Sequence, residues 1–128
     1  MRNGRVVAAL IDQHAGSRGL RVPFFGKNAS TFTFLAQLAR RHAAPILPIF
    51  SRVGSDPPRV YGRFEPPIDP DPSLPEEEDV FRMMLAFHRA LEAAIRRTPE
   101  QYLWLHRRWK RSGREPDRRW LERYAAAE

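Results

Sequence analysis

A continuous apolar run, Val6 to Ile11, stops abruptly at the polar pair Asp12-Gln13. Its β-branched residues and lack of alternation predict a strand over Arg5 to Ile11, buried on both faces as in a parallel sheet. A loop containing Gly16, Arg18 and Gly19 follows, then Val22-Pro23-Phe24-Phe25-Gly26, an amphipathic segment and a second apolar run, Ile46 to Phe50. This order predicts a strand–loop–helix–strand unit, and so an α/β chain with a mixed sheet flanked by helices. Ligands of open α/β sheets sit at the carboxyl ends of strands. Asp12, Gln13 and the loop after them are therefore the candidate binding region. A doubly buried strand needs neighbours on both sides, more than 128 residues supply, so part of the sheet is expected upstream.

The rest of the chain divides by its punctuation. Gly16 and Gly19 offer positive φ to the His14–Arg21 loop, and Pro23 holds Val22 extended. Phe24 and Phe25 are adjacent, so one is expected in the core and the other on a surface or cleft. Ser30 is a candidate N-cap for a helix to about His42, with Phe34, Leu35, Leu38 and Ala39 as its stripe. Pro48 marks the Ile46–Phe50 strand as an edge or bulge. Arg59 to Glu65 alternates and predicts a half-exposed strand. Residues 65–75 form a proline-rich extended linker, and Ser73 with Glu76 has the spacing of a capping box. Val80, Met84, Phe87, Leu91 and Ile95 predict a long helix from Glu76 to Arg97, its acidic start and basic end matching the dipole. Thr98 and Gln101 suggest another capping box, for a helix carrying Tyr102 to Lys110. Pro116 to Ala127 predicts a short basic helix, giving a C-terminal helical segment within one domain over 1–128.

The charge narrows the partners. The chain carries a net charge of +7, and 20 of its 22 basic side chains are arginine. Arginine suits phosphates and carboxylates, which points to lipid head groups, an acidic carrier protein or nucleic acid; a preference for arginine codons explains the bias equally well. With no cysteine, disulfides and thiol catalysis are excluded. No apolar run approaches the roughly 18 residues that span a bilayer, and Met1-Arg2-Asn3-Gly4 leads straight into the expected strand without a signal-peptide pattern. His14, His42, His88 and His106 lack metal-ligand spacing, and neither G-x-S-x-G nor a P-loop occurs. His88 and Glu92 are expected to be a surface helical pair. For the Trp104–Lys110 segment, tryptophans in the core with cations outside compete with a membrane-interface face and a nucleic-acid face. Asp12 either works on a partner at a strand end or caps its own loop.

Asp12-Gln13, Val22-Pro23-Phe24-Phe25-Gly26, Leu38-Ala39-Arg40, Pro45-Ile46-Leu47-Pro48 and the run from Pro99 to Lys110 follow one another in an order that resembles a known family. It is that of the bacterial lipid A biosynthesis acyltransferases, the late lauroyl/myristoyl enzymes of the lysophospholipid acyltransferase superfamily. The resemblance covers about Arg5 to Lys110, and the P-E-Q-Y-x-W-x-H-R-R-W-K run is its most specific part. It implies a partial acyltransferase fold and an enzyme at the cytoplasmic face of the inner membrane. Such an enzyme moves a fatty acyl group from acyl carrier protein to a hydroxyl of the lipid A precursor, with no metal or organic cofactor and no nucleic acid.

Family members carry an apolar N-terminal anchor and a His-x4-Asp/Glu motif whose histidine is the general base. Here the fifth positions after the four histidines are Gly19, Leu47, Ala93 and Arg111, so the motif is missing. The chain is thus expected to be the C-terminal part of such an enzyme, holding no catalytic residue and inactive alone: a gene fragment, a late start codon or a truncated chain. The resemblance gives Asp12 the task of orienting the catalytic histidine. Phe24, Phe25 and Gly26 would shape the acyl or acceptor channel. Gln13 and Arg18 complete the candidate substrate-binding set, with arginine-rich faces toward lipid phosphates or the carrier protein. The rival from another class is a stand-alone basic module for anionic lipid head groups or nucleic acid.

Overall fold

The sequence Phe24-Phe25-Gly26-Lys27 closes a tight hairpin. Phe25 and Gly26 both have positive φ (49° and 70°), as a two-residue primed turn demands. Strand β1 (Leu20–Phe24) thus pairs antiparallel with β2 (Lys27–Thr31), Phe24 opposite Lys27 and Leu20 opposite Thr31. This is a computed structural model, and it describes Gly4 and residues 6–125. A second antiparallel hairpin joins β3 (Ile49–Val53) to β4 (Val60–Phe64). Among the described residues, the helices α1 (Phe34–Arg41), α2 (Glu76–Arg97) and the short α3 (Arg118–Trp120) complete an α/β chain. Its strands form two separate antiparallel pairs among the described residues rather than one continuous mixed sheet.

Helix α2 is the spine. Val80, Met84, Phe87, Leu91 and Ile95 are all buried, as their spacing predicts. They pack across β1 and against α1, with Leu20, Val22, Phe24, Ala29, Ala36 and Ala39 on the other side of the core. In α1 the small residues Ala36 and Ala39 go inward, while Phe34 stays exposed.

Several expected boundaries move, each for a physical reason. The apolar run before Asp12 is not a strand: among the described residues nothing pairs with it, and only Ile11 is buried. The predicted loop to Arg21 gives way to β1 at Leu20, after a 3-10 turn over Gly16–Arg18. Gly16 takes positive φ, but Gly19 is extended; it is a glycine because a Cβ there would meet Ser30 Oγ. Ser30 is a strand residue rather than a cap, because the Phe25-Gly26 turn returns the chain along β1, and the helix starts after Thr33. Ile46 bridges to Ile68, and β3 begins only after Pro48. Pro75, not Ser73, precedes α2; the Ser73 hydroxyl is held by Asp71 instead. After the 3-10 turn Pro99–Gln101 the expected helix does not form, because the Gln101 side chain, the supposed cap, bonds the Val53 backbone. Asp117 caps a helical stretch from Arg118 to Ala125; Ala126 and Ala127 lie outside the described residues.

The proline-rich segment 65–75 is strapped to the helices by one buried carboxylate. Asp79 accepts from Arg40 Nη1 at 2.8 Å, Arg82 Nη2 at 2.6 Å and the Asp71 backbone at 3.0 Å. Arg40 also donates to the carbonyls of Asp71 and Leu74, and Arg82 to that of Asp69. Removing one partner of a buried charge cluster strands the others. Asp79→Ala is expected to destabilise the chain by about 3 kcal/mol, read as a lower urea midpoint with an unchanged m-value.

Candidate functional site

The core of the site is a buried cation. Arg108 has no exposed surface. Its Nη1 donates to the Ser30 carbonyl, and its Nη2 to Thr31 Oγ1 at 3.1 Å and His88 Nε2 at 3.0 Å. Its guanidinium also lies 5.6 Å from the Phe24 ring centre. The other ring nitrogen of His88, Nδ1, donates to the Pro23 carbonyl at 2.8 Å. These bonds require a neutral imidazole protonated on Nδ1, leaving Nε2 free to accept. Burial, helped by the Arg108 charge, lowers the His88 pKa to about 3. Trp109 stacks on Phe24 at 5.5 Å and donates its indole N–H to the Phe24 carbonyl at 3.0 Å.

Beside this cluster lies a small open recess lined by Asp12, Gln13, Tyr102, Leu103 and His106. Burial lowers the Arg108 pKa and raises that of the Tyr102 phenol; the Asp12 carboxylate opposes the first shift and adds to the second. His106 Nε2 accepts from the His14 backbone N–H at 2.9 Å, so Nδ1 carries its proton. His14 Nε2 shares a 2.8 Å hydrogen bond with Ser112 Oγ, while its buried Nδ1 has no partner. Burial lowers the His14 pKa. The recess thus sets a carboxylate, an amide, a phenol and a neutral imidazole around one opening, groups suited to hydrogen-bonding a hydroxyl or orienting another imidazole.

The predicted residues are dispersed. Asp12 and Gln13 line the recess, though on an irregular segment and not at a strand end. Phe24 is the aromatic floor under Arg108, and Phe25 is only partly buried, the division expected of adjacent phenylalanines. Phe25 donates its backbone N–H to Glu92 Oε1 at 2.7 Å and lies under Arg96 at 5.1 Å. Gly26 serves the turn. Arg18 is exposed at the end of its 3-10 turn and does not line the recess. His88 and Glu92 are not a surface pair: both are buried, drawn in by backbone groups of the first hairpin. The Trp104–Lys110 segment follows the core-tryptophan reading only in part: Trp109 packs on Phe24 and Arg107 and Lys110 are exposed, but Arg108 is buried and Trp104 half-exposed. Tyr102, His106, His88 and Arg108 were not singled out as site residues by the sequence. The signal was present in the dense Tyr102–Lys110 run, but a helical interpretation assigns its sides wrongly.

Residues 1–111 match the profile of the bacterial lipid A biosynthesis acyltransferases. The chain belongs to that family. It is 33% identical over 112 residues to the lipid A biosynthesis lauroyltransferase of Escherichia coli (strain K12), covering 86% of this chain and 35% of that one. It is 26% identical over 106 residues to a lipid A biosynthesis acyltransferase of Haemophilus influenzae (strain ATCC 51907 / DSM 11121 / KW20 / Rd), covering 82% and 31%. The chain therefore spans about a third of the length of the curated relatives it matches. No solved structure matches it.

Two outcomes test the buried cluster. The folded state resists protonating His88 until about pH 3, whereas an unfolded histidine protonates near its ordinary 6.5. Stability from neutral His88 is therefore complete above pH 6.5 and declines as the pH falls toward 3, by up to about 1.4 kcal/mol per unit. Urea midpoints across this range are expected to lose that slope in His88→Gln. Arg108→Lys, which replaces the planar fork by a single ammonium, is expected to cost about 2–3 kcal/mol, read by the same titration at neutral pH.

Proposed function

We propose that this chain is the C-terminal portion of an enzyme that transfers a fatty acyl group from acyl carrier protein to a hydroxyl of the lipid A precursor, at the cytoplasmic face of the inner membrane. The observation that carries this is the recess. Within a chain of lipid A acyltransferase ancestry, it gathers Asp12, Gln13, Tyr102 and His106 at one opening. The relatives named above carry about twice as much sequence again beyond the matched part. A His-x4-Asp/Glu general base supplied by that part would meet Asp12 at this opening. There the carboxylate would accept the imidazole N–H and hold the ring toward the acceptor hydroxyl, which attacks the thioester carbonyl and displaces the carrier thiol. Gln13 would assist in holding the acceptor, and the Phe24-Phe25-Gly26 turn would fix one wall of the channel. Arg18, on the exposed turn nearby in sequence, is assigned to the approach of anionic partners rather than to the reacting groups. No metal or organic cofactor has a part in this transfer.

Two measurements decide the matter. The 128-residue chain alone is expected to transfer no acyl group from acyl carrier protein to the lipid A precursor. In a full-length protein carrying this segment, Asp12→Ala is expected to lower kcat on the order of 10²-fold, with little change in thermal stability. Unchanged transfer would remove Asp12 from the mechanism, and transfer by the short chain would refute the need for an external base.

A further inference from the structure

The hairpin β3–β4 is amphipathic across its thickness, and its apolar face points away from the body. Pairing of Ile49 with Phe64, Ser51 with Gly62 and Val53 with Val60 sets these six residues on one face. The four large apolar residues among them are 54% (Ile49), 64% (Phe64), 52% (Val53) and 74% (Val60) exposed. Pairing of Phe50 with Arg63 and Arg52 with Tyr61 defines the other face, and Arg59 shares its parity. Phe50 is half-buried there, its ring 6.0 Å from that of buried Phe87, which turns the Ile49–Phe64 face outward.

The hairpin is also braced. The Gln101 side-chain amide donates to the Val53 carbonyl and accepts from the Val53 N–H, both at 2.7 Å. Arg97 holds Glu65 at the base of β4 at 2.6 Å. Arg52 lies 4.7 Å from the Tyr61 ring centre, and the bare backbone of Gly54 makes room for that ring. A braced two-stranded wedge with one apolar face and an arginine-bearing opposite face has the charge and polarity pattern of an interfacial membrane element. The apolar face suits the acyl boundary, and long arginine side chains on the other face reach the phosphate level.

We infer that the β3–β4 hairpin docks this chain flat on an anionic phospholipid surface, with Ile49, Val53, Val60 and Phe64 at the acyl boundary and Arg52 and Arg59 on lipid phosphates, Arg63 being paired with Glu65. This deepens the membrane setting of the proposed function by naming the contact, and it requires no acyl transfer.

The test exploits the absence of cysteine from the chain. Val60→Cys and, as a remote control on the exposed side of α1, Gln37→Cys are each labelled with an environment-sensitive fluorophore. The labelled chains are then mixed with vesicles of equal parts phosphatidylcholine and phosphatidylglycerol. The expected result is a blue shift at position 60 and none at 37, diminished by added salt and absent with phosphatidylcholine alone. Adding Ile49→Ser and Phe64→Ser to the Val60→Cys chain is expected to weaken partitioning about tenfold or more, with an unchanged circular dichroism spectrum. No shift, equal shifts at both positions, or a shift at 60 that arises on concentrating the protein without vesicles overturns the inference. The last outcome would mean that a second copy covers the face. In a full-length protein, acyl transfer without the vesicle response overturns the docking alone; the vesicle response without transfer overturns the enzymatic proposal alone.

Discussion

A buried guanidinium is costly unless its donors are matched, and Arg108 sets the terms for the structure around it. Two of its nitrogens reach the β2 backbone, the Thr31 hydroxyl and His88, the Phe24 ring closes one side, and only the buried Nε is left without a partner. The arrangement works only with a neutral His88, whose free nitrogen accepts while the other donates to Pro23. One cation therefore fixes a tautomer, joins the first hairpin to α2, and draws the segment after Pro99 across both.

That inward turn explains the recess. A helix through Tyr102–Lys110 would distribute its side chains at helical spacing. The irregular chain instead buries Arg108, lays Trp109 on Phe24 and leaves Leu105 almost wholly in solvent. Tyr102, Leu103 and His106 consequently gather against Asp12 and Gln13, and the His14–His106 and His14–Ser112 bonds tie the loop before β1 to the same segment.

The arginine excess also divides on inspection. Arg40 and Arg82 serve the buried Asp79, and Arg108 serves the core. Net charge alone therefore overstates the cationic surface available to partners. Arg52 and Arg59, on a strand or strand end with few buried contacts, remain exposed to meet anions, while Arg63 pairs with Glu65.

The sequence by itself determined the parts whose causes are local. The Glu76–Arg97 helix follows from its apolar spacing and charged ends, and the different fates of Phe24 and Phe25 from their adjacency; alternation located the β4 strand but not its exposure, which extends to all five residues instead of one face. Family membership was legible in the Pro99–Lys110 run and the motifs before it. Only tertiary structure decided which side of that run is buried, because the groups that receive Arg108 lie 20, 77 and 78 residues away. The same holds for Glu92, whose partner is a backbone N–H 67 residues distant. Hydrophobic periodicity registers where a side chain faces on its own element. It carries no record of a distant carbonyl or amide that needs a partner, and such needs placed the polar residues of this site.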